Sequence, residues 1–248
     1  MSVTSILSKL KEINESDLIN VHIPSANKNM TFKSISVKQQ KDLIKSGMDG
    51  ALGGITISNV INQIIIDNSV EKYDFLVVDK IPIILALRNK SFGSVFTLKN
   101  ENKNIIFDLN DILANVLEFS NIEKTEIKSE ENKLSVELNV ISLEEDTKIN
   151  AFQLEKLKKN KDEDLSETVG SLFVYEILKF IYKITVGSDE IIMKDFPIKD
   201  RLTIVENLPA SVNNEILEYI QNFRKEEMEY ITVNGETLPI DARLFSKE

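Results

Sequence analysis

The chain has 248 residues, 42% of them hydrophobic and 28% charged, with a formal net charge of −10 and no cysteine. This is the composition of an ordinary soluble globular protein, and the missing thiols exclude disulfides, thiol catalysis and thiolate-bound zinc. The negative charge argues against nucleic acid as a direct ligand, because a phosphate-reading surface needs Lys and Arg to neutralise several phosphates.

Val3, Ile6, Leu7, Leu10 and Ile13 recur at helical spacing and predict an amphipathic helix over 3–16. A helix this short is marginal alone in water, so it must pack either on its own chain or on a partner. The segment 1–11 lacks a continuous apolar core, so no secretory leader is expected. A strand ending at Pro24-Ser25, a turn over Ala26–Asn29 and a second strand over Met30–Ser36 follow, then a helix over Val37–Ser46.

Gly47 to Gly54 holds half of the eight glycines. It lacks the Lys-Ser/Thr ending of a phosphate loop, so it reads as a flexible linker. Helices are expected over Ile55–Asn68, capped by Thr56 or Ser58, and over Asp74–Asn89, capped by Asp74 and kinked or split at Pro82. The longest apolar run, Ile81–Leu87, is far short of the roughly 20 residues that span a bilayer.

Val95–Lys99 and Asn104–Leu109 pair across a polar turn, and a short helix is expected over Asp111–Phe119. Leu134, Val136, Leu138 and Val140 alternate with polar residues, which predicts a strand with one buried and one wet face. Its hairpin partner is Thr125–Lys128, across a charged turn over Ser129–Asn132. Glu144-Glu145-Asp146 reads as an exposed linker near a domain boundary at 142–150. The apolar run from Val169 to Val186 predicts one central helix.

A short strand over Glu190–Met193 precedes helices over Lys199–Asn207 and Ser211–Phe223. A final hairpin turns on Asn234-Gly235, the strongest turn signal in the chain. The expected fold class is α+β: small antiparallel hairpins packed with helices, an N-terminal α/β part and a more helical C-terminal part. The expected divisions are an amphipathic helix (1–19), an α+β domain (20–143) and a mainly helical domain with a terminal hairpin (144–248).

Little in the chain suggests chemistry. His22 is the single histidine and reads as an ordinary strand residue. The acidic clusters at 144–146, 162–164 and 189–190 lack the spacing and central glycine of a calcium loop and read as solvated faces. Arg88, at the end of an apolar helix, is a candidate ion-pair partner for Asp108 or Asp111.

The order of these pieces resembles the baseplate hub assembly protein family of T-even-like contractile-tailed phages. The matching residues are Pro24-Ser25, Phe32-Lys33, Val37-Lys38-Gln39-Gln40-Lys41, Leu87-Arg88, Lys90-Ser91, Gly93 and Asp108-Leu109. Phe196 to Leu202 and Glu206-Asn207-Leu208-Pro209 are similar to a late segment of that family. Together they cover most of residues 20–245. The resemblance implies that many relatives carry cysteine pairs in the stretch matching Val95–Phe107; here it has none, so this hairpin must hold by cross-strand packing.

The resemblance implies a non-enzymatic tail protein without cofactor or metal. It would take part in hub assembly as a chaperone or as a hub subunit, docking onto other baseplate hub or tail proteins. Neither nucleic acid nor membrane is an expected partner, and sequence does not fix the oligomeric state. The expected location is the host cytoplasm during assembly, with the virion tail baseplate as the second place. Val3, Ile6, Leu7, Leu10 and Ile13 lie outside the resemblance and form the candidate docking face. Two other readings stand beside this one: a protein-binding adaptor unrelated to phage tails, and an enzyme with an unrecognised site.

Overall fold

A computed structural model describes the chain except for residues 1–2, 49, 101–102, 116–124, 132, 160–164 and 247–248. It is an α+β structure built as two compact units: Met1–Ser120 with Tyr230–Glu248, and Asn121–Glu229.

The first unit opens with helix α1 (Val3–Ser16) and the antiparallel strands β1 (Leu18–Ile23) and β2 (Lys28–Lys33). A single 3-10 turn over Pro24–Ala26 joins the strands, and Asn27 closes it in the left-handed conformation at φ 47°. Helix α2 (Val37–Ser46) starts with a capping box: Ser36 Oγ accepts from Gln39 N at 3.3 Å and Gln39 Oε1 accepts from Ser36 N at 2.9 Å. Two of the first orphan N–H groups are thereby met.

The glycine-rich stretch is more structured than a linker. A 3-10 turn over Gly50–Leu52 leads straight into helix α3 (Gly53–Asn68). Neither expected cap serves: Thr56 donates to the Leu52 carbonyl at 3.0 Å, and Ser58 Oγ accepts from Lys80 Nζ at 3.0 Å. At Gly47 a Cβ would overlap the Cβ of Ala242, so glycine there permits a close approach of the C-terminal segment.

Helix α4 (Lys80–Phe92) starts six residues later than expected. Asp79, not Asp74, organises its start, through a 3-10 turn over Val77–Asp79. Pro82 is then the third helical residue, where its missing N–H breaks no bond, so no kink arises. Residues Pro82 to Arg88 are all buried, packed by β1, α3 and the elements that follow.

Strands β3 (Val95–Asn100) and β4 (Lys103–Asp108) pair antiparallel, with Phe96 against Phe107 at 6.2 Å between ring centroids. Helix α5 (Leu109–Ala114) follows directly, earlier than expected, because Asp108 caps it by accepting from Asn110 N at 2.9 Å. Residues 116–119 of the expected helix lie outside the described residues.

The second unit is a four-stranded antiparallel meander, β5 (Thr125–Ser129), β6 (Leu134–Leu138), β7 (Ile181–Val186) and β8 (Asp189–Ile192), with helices α6 (Leu143–Lys159), α7 (Leu165–Leu178), α8 (Ile198–Glu206) and α9 (Ala210–Tyr230). The expected alternation holds: Leu134, Val136, Leu138 and Val140 are buried. The wet face carries a cross-strand ladder in which Lys183 meets Glu137 at 3.4 Å and Glu190 at 3.3 Å.

Two expectations fail here. The apolar run 169–186 is not one helix, because α7 ends at Leu178 and Ile181–Val186 forms a central strand between β6 and β8. Ile181, Ile184, Thr185 and Val186 are β-branched and suit the pleated surface, and a buried strand and a buried helix look alike in a short apolar run. The acidic run 144–146 is the first turn of α6, not a linker: Asp146 is buried and meets Lys179 at 3.0 Å, and Glu145 pairs with Arg201.

The chain ends in the first unit. The short hairpin of β9 (Thr232–Val233) and β10 (Glu236–Thr237) turns on Asn234 and Gly235, with φ of 53° and 80°. Positive φ at both positions is the turn that Asn-Gly favours. A 3-10 turn over Ala242–Phe245 then brings Leu244 and Phe245 into the core.

Candidate docking surface

Two of the motif residues that carry the family resemblance, Ser25 and Arg88, are held by hydrogen bonds inside the first unit. Ser25 is held by Asp79: its backbone N–H donates to Oδ1 at 2.9 Å and its hydroxyl to Oδ2 at 2.6 Å. Leu76 N adds a third hydrogen bond to Asp79 at 2.8 Å, and the Tyr73 hydroxyl lies 3.1 Å from Ser25 Oγ. Burial pushes the Asp79 carboxyl above its ordinary range, against the pull of these hydrogen bonds. Two 3-10 turns far apart in sequence are thereby latched together.

Arg88 makes the second latch. Its Nε donates to the Leu244 carbonyl at 3.2 Å, Nη2 to Val95 O at 3.1 Å, and Nη1 to Gly93 O. The guanidinium also lies 5.8 Å from the Phe96 ring centroid. These hydrogen bonds run to carbonyls, not to Asp108 or Asp111, the partners expected from sequence. Asp108 caps α5, and Asp111 lies exposed in its first turn. One buried side chain thus ties the end of α4 to the β3 entry and to the C-terminal turn. Nothing in the sequence points to a carbonyl partner 156 positions away at Leu244.

His22 sits in β1 opposite Asn29, as expected of a plain strand residue. Among the described residues, no three His, Cys, Asp or Glu side chains converge as a metal would require. Among them too, no helix is long and apolar enough to cross a membrane.

The surface of α1 is different. Val3 is 74% exposed and Leu7 60%, and Ile6, Leu10 and Ile13 are also exposed. The expected docking residues therefore share a face, and that face is uncovered. The base of α1 is nevertheless anchored. Asp17 N donates to Ile13 O at 3.1 Å, Ser34 N donates to Asp17 O at 3.0 Å, and the Asp17 carboxylate meets Lys90 at 3.0 Å. Ser34 and Lys90 together hold the Asp17 carboxyl below its ordinary range.

The family described as T4 bacteriophage base plate protein matches this chain over residues 17–237. The chain belongs to that family. The match starts at Asp17, so it excludes α1; it contains the Ser25–Asp79 latch and Arg88 with Gly93 and Val95, whereas Leu244 lies beyond it. No curated protein and no solved structure matches the chain. The matched part of this chain therefore holds most of its packed core, with Leu238, Leu244 and Phe245 beyond it, and the exposed apolar helix precedes it.

Proposed function

We propose that this base plate family member takes part in building the baseplate hub, as an assembly chaperone or as a hub subunit, by protein–protein docking and without catalysis. The observation that carries the reading is a family match over residues 17–237 joined to an uncovered aliphatic helix just before it. Val3, Ile6, Leu7, Leu10 and Ile13 are the proposed contact residues. The net charge of −10 limits non-specific association while the protein works in the host cytoplasm.

Co-expression with individual hub and tail proteins tests this directly: one of them is expected to co-purify with the full chain at moderate salt. Retention of none would overturn the reading. Mass spectrometry of finished particles separates the two roles, since a subunit persists in the tail baseplate and a chaperone does not.

A further inference from the structure

The apolar positions of α1 are broader than a coiled-coil seam. Val3, Ile6, Leu10 and Ile13 follow a 3-4-3 spacing, and Leu7 lies beside that line. At about 100° per residue the five positions span roughly 120° of the helix circumference, with Asn14 the one polar position inside the arc. A stripe this wide fits a surface with two walls, whereas a two-stranded coiled coil needs the narrower line alone.

The edges are equally informative. On the same projection Lys11 lies about 40° beyond Leu7 and Lys9 about 40° beyond Ile13, so a lysine borders each side of the stripe. Glu12 and Glu15 fall on the back. Lys11 meets Glu15 at 3.9 Å between exposed side chains, a contact worth little in water.

We infer that α1 docks as a helix into an aliphatic groove between two helices of a different tail protein, and that carboxylates edge this groove. The inference rests on the docking reading above and names the chemistry of its partner. Carboxylates on the rim complement Lys9 and Lys11, and the lysine stems extend the apolar contact. A second copy fits poorly. It would set lysine borders against lysine borders and bring together two chains of net charge −10. Five aliphatic side chains remove only about 300–600 Å² from water, short of the roughly 800 Å² per partner in a stable interface, so the contact suits a transient assembly step and not a permanent dimer.

The test uses the full chain with p-benzoylphenylalanine placed in turn at Leu7, Ile13 and Ser8, mixed with whichever hub or tail protein the full chain retains. Leu7 and Ile13 are expected to cross-link to two different helices of that one protein, with Ser8 silent. Leu10→Asp is expected to weaken binding at least about thirtyfold. Lys9→Glu with Lys11→Glu is expected to slow association about tenfold, with the difference shrinking at high salt. Cross-links to one helix only, to a second copy or to this chain's own body would overturn the inference. Equal cross-linking from Ser8 would do the same. If a chain lacking residues 1–16 still binds the partner fully, the groove falls and the hub reading stands. If the full chain retains no hub or tail protein, both fall.

Discussion

Helices α1 and α4 are both rich in aliphatic residues, and they end in opposite environments. In α4, Ile83, Ile84, Leu85 and Leu87 are wholly buried, and even Arg88 is 5% exposed. In α1 every described side chain is exposed. The difference lies in where the apolar residues sit. Those of α4 surround the helix, so it is stable only inside a core. Those of α1 line one face, and the chain's own body does not cover it. Burying them would yield roughly 1.5–3 kcal/mol per side chain before ordering costs. Hydrophobicity alone therefore does not say whether a helix belongs to the fold or to a contact; coverage does.

Substitutions that separate the two helices should differ sharply. Leu85→Asp buries an unpaired charge in α4 and is expected to cost about 5 kcal/mol, enough to remove most of a domain's stability. Urea denaturation would show no folded baseline, and a normal unfolding curve would break the comparison. Arg88→Met is expected to cost about 3 kcal/mol, because the buried Leu244 carbonyl and the part-buried hydrogen bonds to Gly93 and Val95 lose their donor. A loss below about 1 kcal/mol would mean that Arg88 is not a latch.

Asp79→Asn sharpens the picture through pH. The folded chain holds the Asp79 proton more tightly than the unfolded chain, so more protons are bound folded than unfolded above the ordinary value of 3.8. Stability contributed at this site is therefore full below 3.8 and falls as pH rises through the raised folded value. The stability difference, native minus variant, is expected to shrink over that window in paired urea titrations. A difference that grows with pH would show that the hydrogen bonds outweigh burial. The smallest effect belongs to α1: Leu10→Asp is expected to change unfolding stability by less than about 0.5 kcal/mol.

What could be read in the sequence followed from strict local patterns. The alternation of Leu134 to Val140 needs only a two-residue period, and Asn234-Gly235 needs only two adjacent residues that tolerate positive φ. The family resemblance was likewise legible, because its motifs keep their order. Tertiary partners decided what was missed. Asp74 and Asp79 are equally good caps on paper; Ser25, more than fifty positions earlier, selects Asp79. The run 169–186 is apolar enough for a helix, and pairing with β6 and β8 turns its second part into a strand. Arg88 suggested a carboxylate partner because opposite charges are visible in a sequence, whereas main-chain carbonyls carry no residue signature. The face of α1 was visible from periodicity, but its exposure was not, since the same stripe would serve a helix packed on its own body.

Removing residues 1–16 tests the central claim most directly, provided the cut spares Asp17, which ties β1 to Ser34 and Lys90. Melting temperature and binding to the retained hub or tail protein would be measured on the same preparation. The account predicts a melting temperature within about 2 °C of the full chain, together with loss of binding. A large drop in melting temperature, or undiminished binding, would contradict it and return α1 to the chain's own core or to no role in docking.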